Sequence, residues 1–332
     1  MDMLSGSWPG ELFWFEGHGD GDFSAPVMLQ DKEGNYINIG GGIEESEDGI
    51  SITGNADFEE TEDGVFAIYH GERIESTAAR PVSITGTASV VHAVDWDGDK
   101  DLDLLVGDIG GSVYLIPNEG SITEMSFGAE VQLEGGGAAI RVPGGDAGPV
   151  AIDWDGDDDF DLVVGCGDGS VVMYRNDGTQ SEPVLSEAIE LVAAGEIEYG
   201  PEASREAVRG IRAKVCVTDF NSDGTLDLLL GDISNLGHDL SGLSNEEQAE
   251  METAQEEMNE LNGQYRELVQ KIIGPDRVTE EDELEEVRTE LMEVQGRMGE
   301  LRAVMPEEYS THGWVWYFEG TSSSEASTNS GE

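Results

Sequence analysis

The sequence predicts an all-β fold in which repeated sheet units form a radial array of the propeller type, interrupted by one helical insertion. Three observations carry this. A nine-residue acidic loop occurs three times, each copy followed by the same short apolar run and a glycine. Eight residues after the last aspartate of a compact copy, a glycine opens a second strand signature. The loops start 58 residues (95 to 153) and 66 residues (153 to 219) apart, a near-constant period of the kind that marks propellers and solenoids.

The first loop runs Asp95, Trp96, Asp97, Gly98, Asp99, Lys100, Asp101, Leu102, Asp103. The second runs Asp153, Trp154, Asp155, Gly156, Asp157, Asp158, Asp159, Phe160, Asp161, and the third Asp219, Phe220, Asn221, Ser222, Asp223, Gly224, Thr225, Leu226, Asp227. Oxygen side chains at positions 1, 3, 5 and 9, with a carbonyl at position 7, can wrap a hard cation. Carboxylates packed this closely repel unless a divalent ion sits among them. The pattern follows an EF-hand for nine residues and then departs from it. Position 12 is Val106, Val164 or Leu230 instead of glutamate, and the flanks, such as Val90 to Val94 before the first loop and Leu104 to Val106 after it, read as strands. Position 6, where a glycine usually turns the chain, is Lys100, Asp158 or Gly224, so the first two are expected in a conformation unfavourable to a side chain.

The second strand signatures are Gly111 to Ile116 and Gly169 to Tyr174. The same register opens the chain, where Asp2 to Gly6 leads to Gly10 and then Glu11 to Phe15. It closes the chain as Gly313 to Phe318, but there the gap from Asp227 is 86 residues where the compact units have 8, an insertion of about 78 by subtraction. Four units are therefore expected, the first lacking the initial eight residues of its loop. On that reading the chain begins inside a longer protein, and the lack of a visible signal peptide says nothing about secretion.

The unit Asp-x-Asp-Gly-Asp-x-x-x-Asp, followed by Leu-Leu-Val-Gly and then Gly-x-Val-x-Leu, resembles the FG-GAP/VCBS repeat of integrin α-type β-propellers over roughly residues 1–30, 85–232 and 312–320. The resemblance implies a propeller, or a segment of one, with Ca2+ in about three loops between strands. It also implies a role in adhesion or in recognition of a protein or carbohydrate ligand. Carried onto this sequence, the ligands would be Asp95, Asp97, Asp99, Asp101 (main chain) and Asp103; Asp153, Asp155, Asp157, Asp159 (main chain) and Asp161; and Asp219, Asn221, Asp223, Thr225 (main chain) and Asp227. The extracellular space, periplasm or cell surface is the expected location.

Composition narrows the partners. Asp and Glu total 72 against 16 Lys and Arg, a formal charge of −56, which argues against nucleic acid because phosphate binding needs a basic surface. No apolar run reaches the length of a membrane span. The acidity fits a high-salt environment or plain solubility equally well. Two cysteines, Cys166 and Cys216, are too few for a disulfide framework; they are expected either as buried small side chains or as a bridge between adjacent units.

The insertion after Gly231 changes period. Met251, Ala254, Met258, Leu261, Tyr265, Leu268 and Ile272 fall at steps of three and four, as do Leu284, Val287, Leu291, Val294, Met298, Leu301 and Met305. Gly274 and Pro275 break the run between them, and Ser244 with Glu247 forms a capping box at its start. An antiparallel coiled-coil hairpin is expected over 233–311, either a self-contained spacer or an arm that grips a partner or self-associates. Residues 31–84 are expected to hold a β-hairpin insertion or a degenerate blade, with strands at Ile50 to Thr53 and Val65 to Tyr69; the propeller itself spans 1–232, closes with 312–320, and is followed by a disordered tail over 321–332.

Five histidines, His18, His70, His92, His238 and His312, show no zinc or nucleophile-base spacing, and His92 reads as a packed strand residue. Every clustered carboxylate belongs to a loop, so a non-catalytic calcium-binding module is expected. The rival readings are a polysaccharide-active enzyme with a hidden carboxylate pair and a purely structural surface protein that self-associates through the hairpin.

Overall fold

The computed structural model describes residues 2–39, 42–46, 49–53, 56–61, 64–69, 72–77, 80–85, 87–199, 203–240, 242–273, 278, 281–305 and 309–321. The Gly274–Pro275 break, His70 and the tail from residue 322 lie outside them. The chain divides into two compact units: Met1–Ile197 with Ala207–Ser234 and His312–Glu332, and Glu198–Glu206 with Asn235–Thr311.

The larger unit is mostly strand. β1 (Met3–Gly6), β2 (Leu12–Phe15) and β3 (Val27–Met28) form an antiparallel sheet in that order. An insertion follows: β4 (Gly42–Ser46), β5 (Gly49–Thr53), β6 (Ala56–Thr61), β7 (Gly64–Tyr69), β8 (Glu72–Ser76) and β9 (Val82–Thr85). These make two three-stranded sheets, β4-β5-β9 and β6-β7-β8, around Ile50, Ile52, Ala67, Tyr69 and Val82. The segment expected to hold a β-hairpin insertion or a degenerate blade holds six strands with their own core, and β5 pairs with β9 in parallel.

A four-stranded antiparallel meander comes next: β10 (Val90–Val94), β11 (Asp103–Gly107), β12 (Val113–Ile116) and β13 (Val131–Gln132). After the short pair β14 (Glu134–Gly135) and β15 (Ala138–Ala139), the pattern repeats as β16 (Gly148–Ile152), β17 (Asp161–Gly165), β18 (Val171–Tyr174) and β19 (Ile189–Val192). The last sheet is β20 (Ile211–Thr218), β21 (Asp227–Gly237) and β22 (Tyr309–Phe318), joined in that order.

The apolar runs make strands because both of their faces are buried. Successive side chains on a strand point to opposite sides. Leu104 and Val106 pack with Leu12, Leu29 and Ile39 against the first sheet, whereas Leu105 between them packs with Leu162 and Val164 of β17. Val163 faces the other way, onto Ala213, Leu228 and Leu230. A strand covered on both sides reads as continuous apolar sequence.

The sheets are joined by one repeated main-chain latch. The N–H groups of Ala88 and Ser89 donate to the carbonyls of Trp8 and Ser7 at 2.9 and 3.0 Å. Asp146 and Ala147 donate likewise to Ile109 and Asp108 at 2.9 and 3.0 Å, and Arg212 and Ala213 to Gly167 and Cys166 at 2.9 Å each. The first residue of each donor pair adopts positive φ: Ala88 at 48°, Asp146 at 51° and Arg212 at 62°. For a non-glycine residue this costs about 1–2 kcal/mol, which the two hydrogen bonds offset. The partner strand ends in a glycine each time because the sheets approach closely. A Cβ on Gly6, Gly107 or Gly165 would lie 2.0, 2.2 or 2.3 Å from the carbonyl oxygen of Ser89, Ala147 or Ala213.

The smaller unit contains α1 (Asn245–Ile273) and α2 (Glu281–Val304). Met258, Leu268, Val287, Val294, Met298 and Leu301 are buried between the helices, the seam expected from the three-four spacing. Arg297 near the end of α2 pairs with Glu257 in the first half of α1 at 2.6 Å, so the helices run antiparallel. At the start of α1, Ser244 and Glu247 cap one another reciprocally, with bonds of 2.8 Å from the Ser244 N–H and 3.3 Å from the Glu247 N–H.

The cysteines correct one expectation. Both are free; Cys166 is buried, while Cys216 is exposed because it falls on the outward phase of β20, between half-buried Val215 and buried Val217. Burial pushes the Cys166 thiol up to about 11, so it is a packed, inert side chain.

Candidate metal centres

In each complete meander the acidic loop links the first strand to the second. Tight curling requires two residues with positive φ per loop, at positions 4 and 6: Gly98 and Lys100, Gly156 and Asp158, Ser222 and Gly224. Lys100 and Asp158 take the unfavourable conformation expected of them, at 79° and 72°. The position 6 N–H is held by the position 1 carboxylate, Lys100 to Asp95 at 3.1 Å, Asp158 to Asp153 at 3.3 Å and Gly224 to Asp219 at 3.0 Å.

This curl brings positions 1, 3 and 5 together. Asp95, Asp97 and Asp99 each offer a carboxylate oxygen, all within 4.8 Å of one another, and so do Asp153, Asp155 and Asp157. These two triplets can hold a metal ion. The third loop carries Asn221 at position 3, so only two of its first three ligand positions are carboxylates. The Asn221 amide nitrogen donates to Asp223 at 2.8 Å and holds that carboxyl below its ordinary range.

At position 7 the side chains stand beside the triplets without joining them. The side chains of Asp101 and Asp159 are 4 % and 8 % exposed, and one carboxylate oxygen of each has no hydrogen-bond partner. Burial, then the charge of Asp99, pushes the Asp101 carboxyl up to about 6. Asp159 is raised by burial and by Asp157. A buried carboxylate oxygen without a donor beside a carboxylate triplet is a site that suits a cation.

Position 9 is placed differently. Asp103, Asp161 and Asp227 are buried, and none joins a triplet. One oxygen of each accepts the N–H of position 2 in its own loop, Trp96, Trp154 or Phe220, at 3.0 Å. The other accepts a backbone N–H from beyond the next strand: Asn118 at 2.8 Å, Asn176 at 2.7 Å, and Gly320 at 2.8 Å. Asp2 accepts the Gly17 N–H at 3.0 Å, fifteen residues on, as in the two compact units. In this structure the position 9 aspartate is therefore a brace, tying the loop to the end of the second strand after it.

Sequence reasoning missed the residues at the far end of that brace. Asn118 Oδ1 accepts from Gly120 and Ser126 at 3.1 and 2.8 Å; Asn176 Oδ1 accepts from Gly178 and Val184 at 3.0 and 2.8 Å. The signal was present as Asn118-Glu-Gly120 and Asn176-Asp-Gly178, each fifteen residues past a position 9 aspartate.

The donors are all oxygen, and in the two triplets all are carboxylate; such a set fits a hard divalent cation such as Ca2+ better than a soft metal. Positions 1, 3 and 5 of the first two loops would hold it, with Asp101 and Asp159 beside them, and its charge would offset the repulsion among the carboxylates. No protein-family model matches the chain, and no curated protein matches it. Among the described residues, no helix is long and apolar enough to cross a membrane.

Proposed function

We propose that this chain is a Ca2+-stabilised β-propeller of FG-GAP/VCBS type, or a segment of one, serving without catalysis as a recognition or adhesion module for a protein or glycan ligand. The observation that carries the reading is the repeated triplet with an unpartnered, buried position 7 carboxylate at its side. The consecutive antiparallel meanders, joined by the same latch at three junctions, support a radial array over a sandwich. The metal's role is structural: it fixes the link between the first two strands of a blade, so folding and ion binding are coupled. Such dependence suits a calcium-rich location, the cell surface or the space outside the cell.

Thermal unfolding in Ca2+, in Mg2+ and in EDTA, with a count of bound calcium per chain, tests this directly. Two or three ions and a large calcium-specific rise in melting temperature are expected. No bound calcium and coincident melting curves would overturn it.

A further inference from the structure

Gln180 lies in the loop after β18, four residues beyond Asn176. Its side-chain amide is fully used. Nε2 donates to the Asp95 and Trp96 carbonyls at 2.9 and 2.8 Å, and Oε1 accepts the Phe160 N–H at 3.0 Å. The first two partners are positions 1 and 2 of the first acidic loop; the third is position 8 of the second. The side chain also lies against the first loop's turn, since a Cβ on Gly98 would meet Gln180 Cγ at 3.0 Å. Asp95, Asp153, Asp158 and Phe160 line a cleft of about 330 Å³ with it. The matching position of the preceding unit is Ile122, four residues beyond Asn118, which is 68 % exposed and has no amide to share.

We propose that Gln180 is a positioning residue that couples the two cation sites, so that filling one favours filling the other. The inference rests on the reading that both loops bind Ca2+. A cation held by Asp95, Asp97 and Asp99 fixes the main chain on which they stand. With the Asp95 and Trp96 carbonyls fixed, the planar amide is fixed, and it presents its oxygen to the N–H of Phe160, between Asp159 and Asp161. Ordering done by the first ion is then not repeated for the second, which is positive coupling without a new contact to either ion. Repulsion between the two ions opposes this, but it is the same whether or not the amide is present, so a comparison of variants at residue 180 isolates the amide.

The experiment is a calcium titration by calorimetry on the full chain in two backgrounds, wild type and Gln180→Leu. In each, the first loop is intact or disabled by Asp97→Asn with Asp99→Asn. In the wild-type background, disabling the first loop should weaken calcium binding at the second by roughly fivefold or more, the low end of ordinary coupling factors. In the Gln180→Leu background that weakening should be absent, leaving only the relief of repulsion between the two ions. Gln180→Glu, which keeps shape and acceptor but removes both donors, should behave like Gln180→Leu and serves if the leucine variant does not fold. In EDTA, either variant should lower hydrogen-exchange protection at the loop main chain, with Phe160 N–H deprotected in Gln180→Leu. Equal effects of the first loop in both backgrounds, or unchanged protection of Phe160 in Gln180→Leu, overturn the coupling and leave the cation sites standing. A wild-type chain that binds no calcium overturns both.

Discussion

The buried carboxylate of Asp161 accepts the backbone N–H of Asn176 at 2.7 Å, while its other oxygen holds the N–H of Trp154 at 3.0 Å. One side chain thus fixes both the start of the acidic loop and the end of the strand after next. Asp161→Ala leaves two backbone donors without a partner. At about 1–3 kcal/mol for each unsatisfied group, the variant is expected to lose several kcal/mol in calcium and in EDTA alike. Chemical denaturation in both buffers checks this; a loss confined to calcium would make Asp161 a metal ligand and no brace.

Asp155→Ala with Asp157→Ala should show the opposite dependence. These exposed side chains serve the triplet and hold only local turns. The melting temperature should fall in calcium and stay near the wild-type value in excess chelator. Equal losses in both conditions would remove the structural role of the metal.

Gly165→Ala tests the latch. The new methyl would stand 2.3 Å from the Ala213 carbonyl, backbone that cannot move without parting β17 from β20. A loss of about 1–3 kcal/mol, the usual range for overpacking, is expected with or without calcium. Gly156→Ala is not a control for volume alone, because Gly156 has φ of 81°; Gly242→Ala, with open space around it, is.

Acid should act through two residues of opposite sign. His92 on β10 is half-buried, and desolvation holds its imidazole below the usual 6.5. Its contribution to stability is present above pH 6.5 and is lost as pH falls through the depressed value. Asp101, raised to about 6, contributes in the reverse sense: its share is full below 3.8 and is lost as pH rises through about 6. In EDTA, His92→Gln should therefore flatten the fall in melting temperature between pH 7 and pH 5. Asp101→Asn should steepen it. A wild-type profile unaffected by either change would contradict both assignments.

How much of this was legible depended on whether side chains or main chain decide the structure. Leu104 to Val106 and Leu162 to Val164 announced themselves because both faces of those strands are covered, which leaves no polar letter in the run. The seam of α1 and α2 was equally plain, since three-four spacing of apolar residues has few other uses. The left-handed residues of the latch were not legible. Ala88, Asp146 and Arg212 share no chemistry, for the conformation is imposed by the hydrogen bonds of their own and the following N–H groups. The six strands of residues 42–85 were half visible: Ile50 to Thr53 and Val65 to Tyr69 read as strands, whereas β4 and β6 carry acidic residues that resemble a solvated loop. At the acidic loops, residue types identified the oxygen donors but not their division of labour. Whether an aspartate joins a carboxylate triplet or accepts from two amides depends on the strand register around it, as Asp157 and Asp161 show.

The latch between sheets uses N–H and C=O groups alone. A joint made this way carries no net charge and makes no demand on side-chain chemistry beyond the glycine that ends each partner strand. A chain of formal charge −56 can therefore take on acidic surface residues, or admit whole segments between its units, without loosening the seams that hold one sheet to the next. Ionic strength acts on the acidic turns that hang from this frame, so the sheets are expected to keep their order across salt conditions that rearrange the loops.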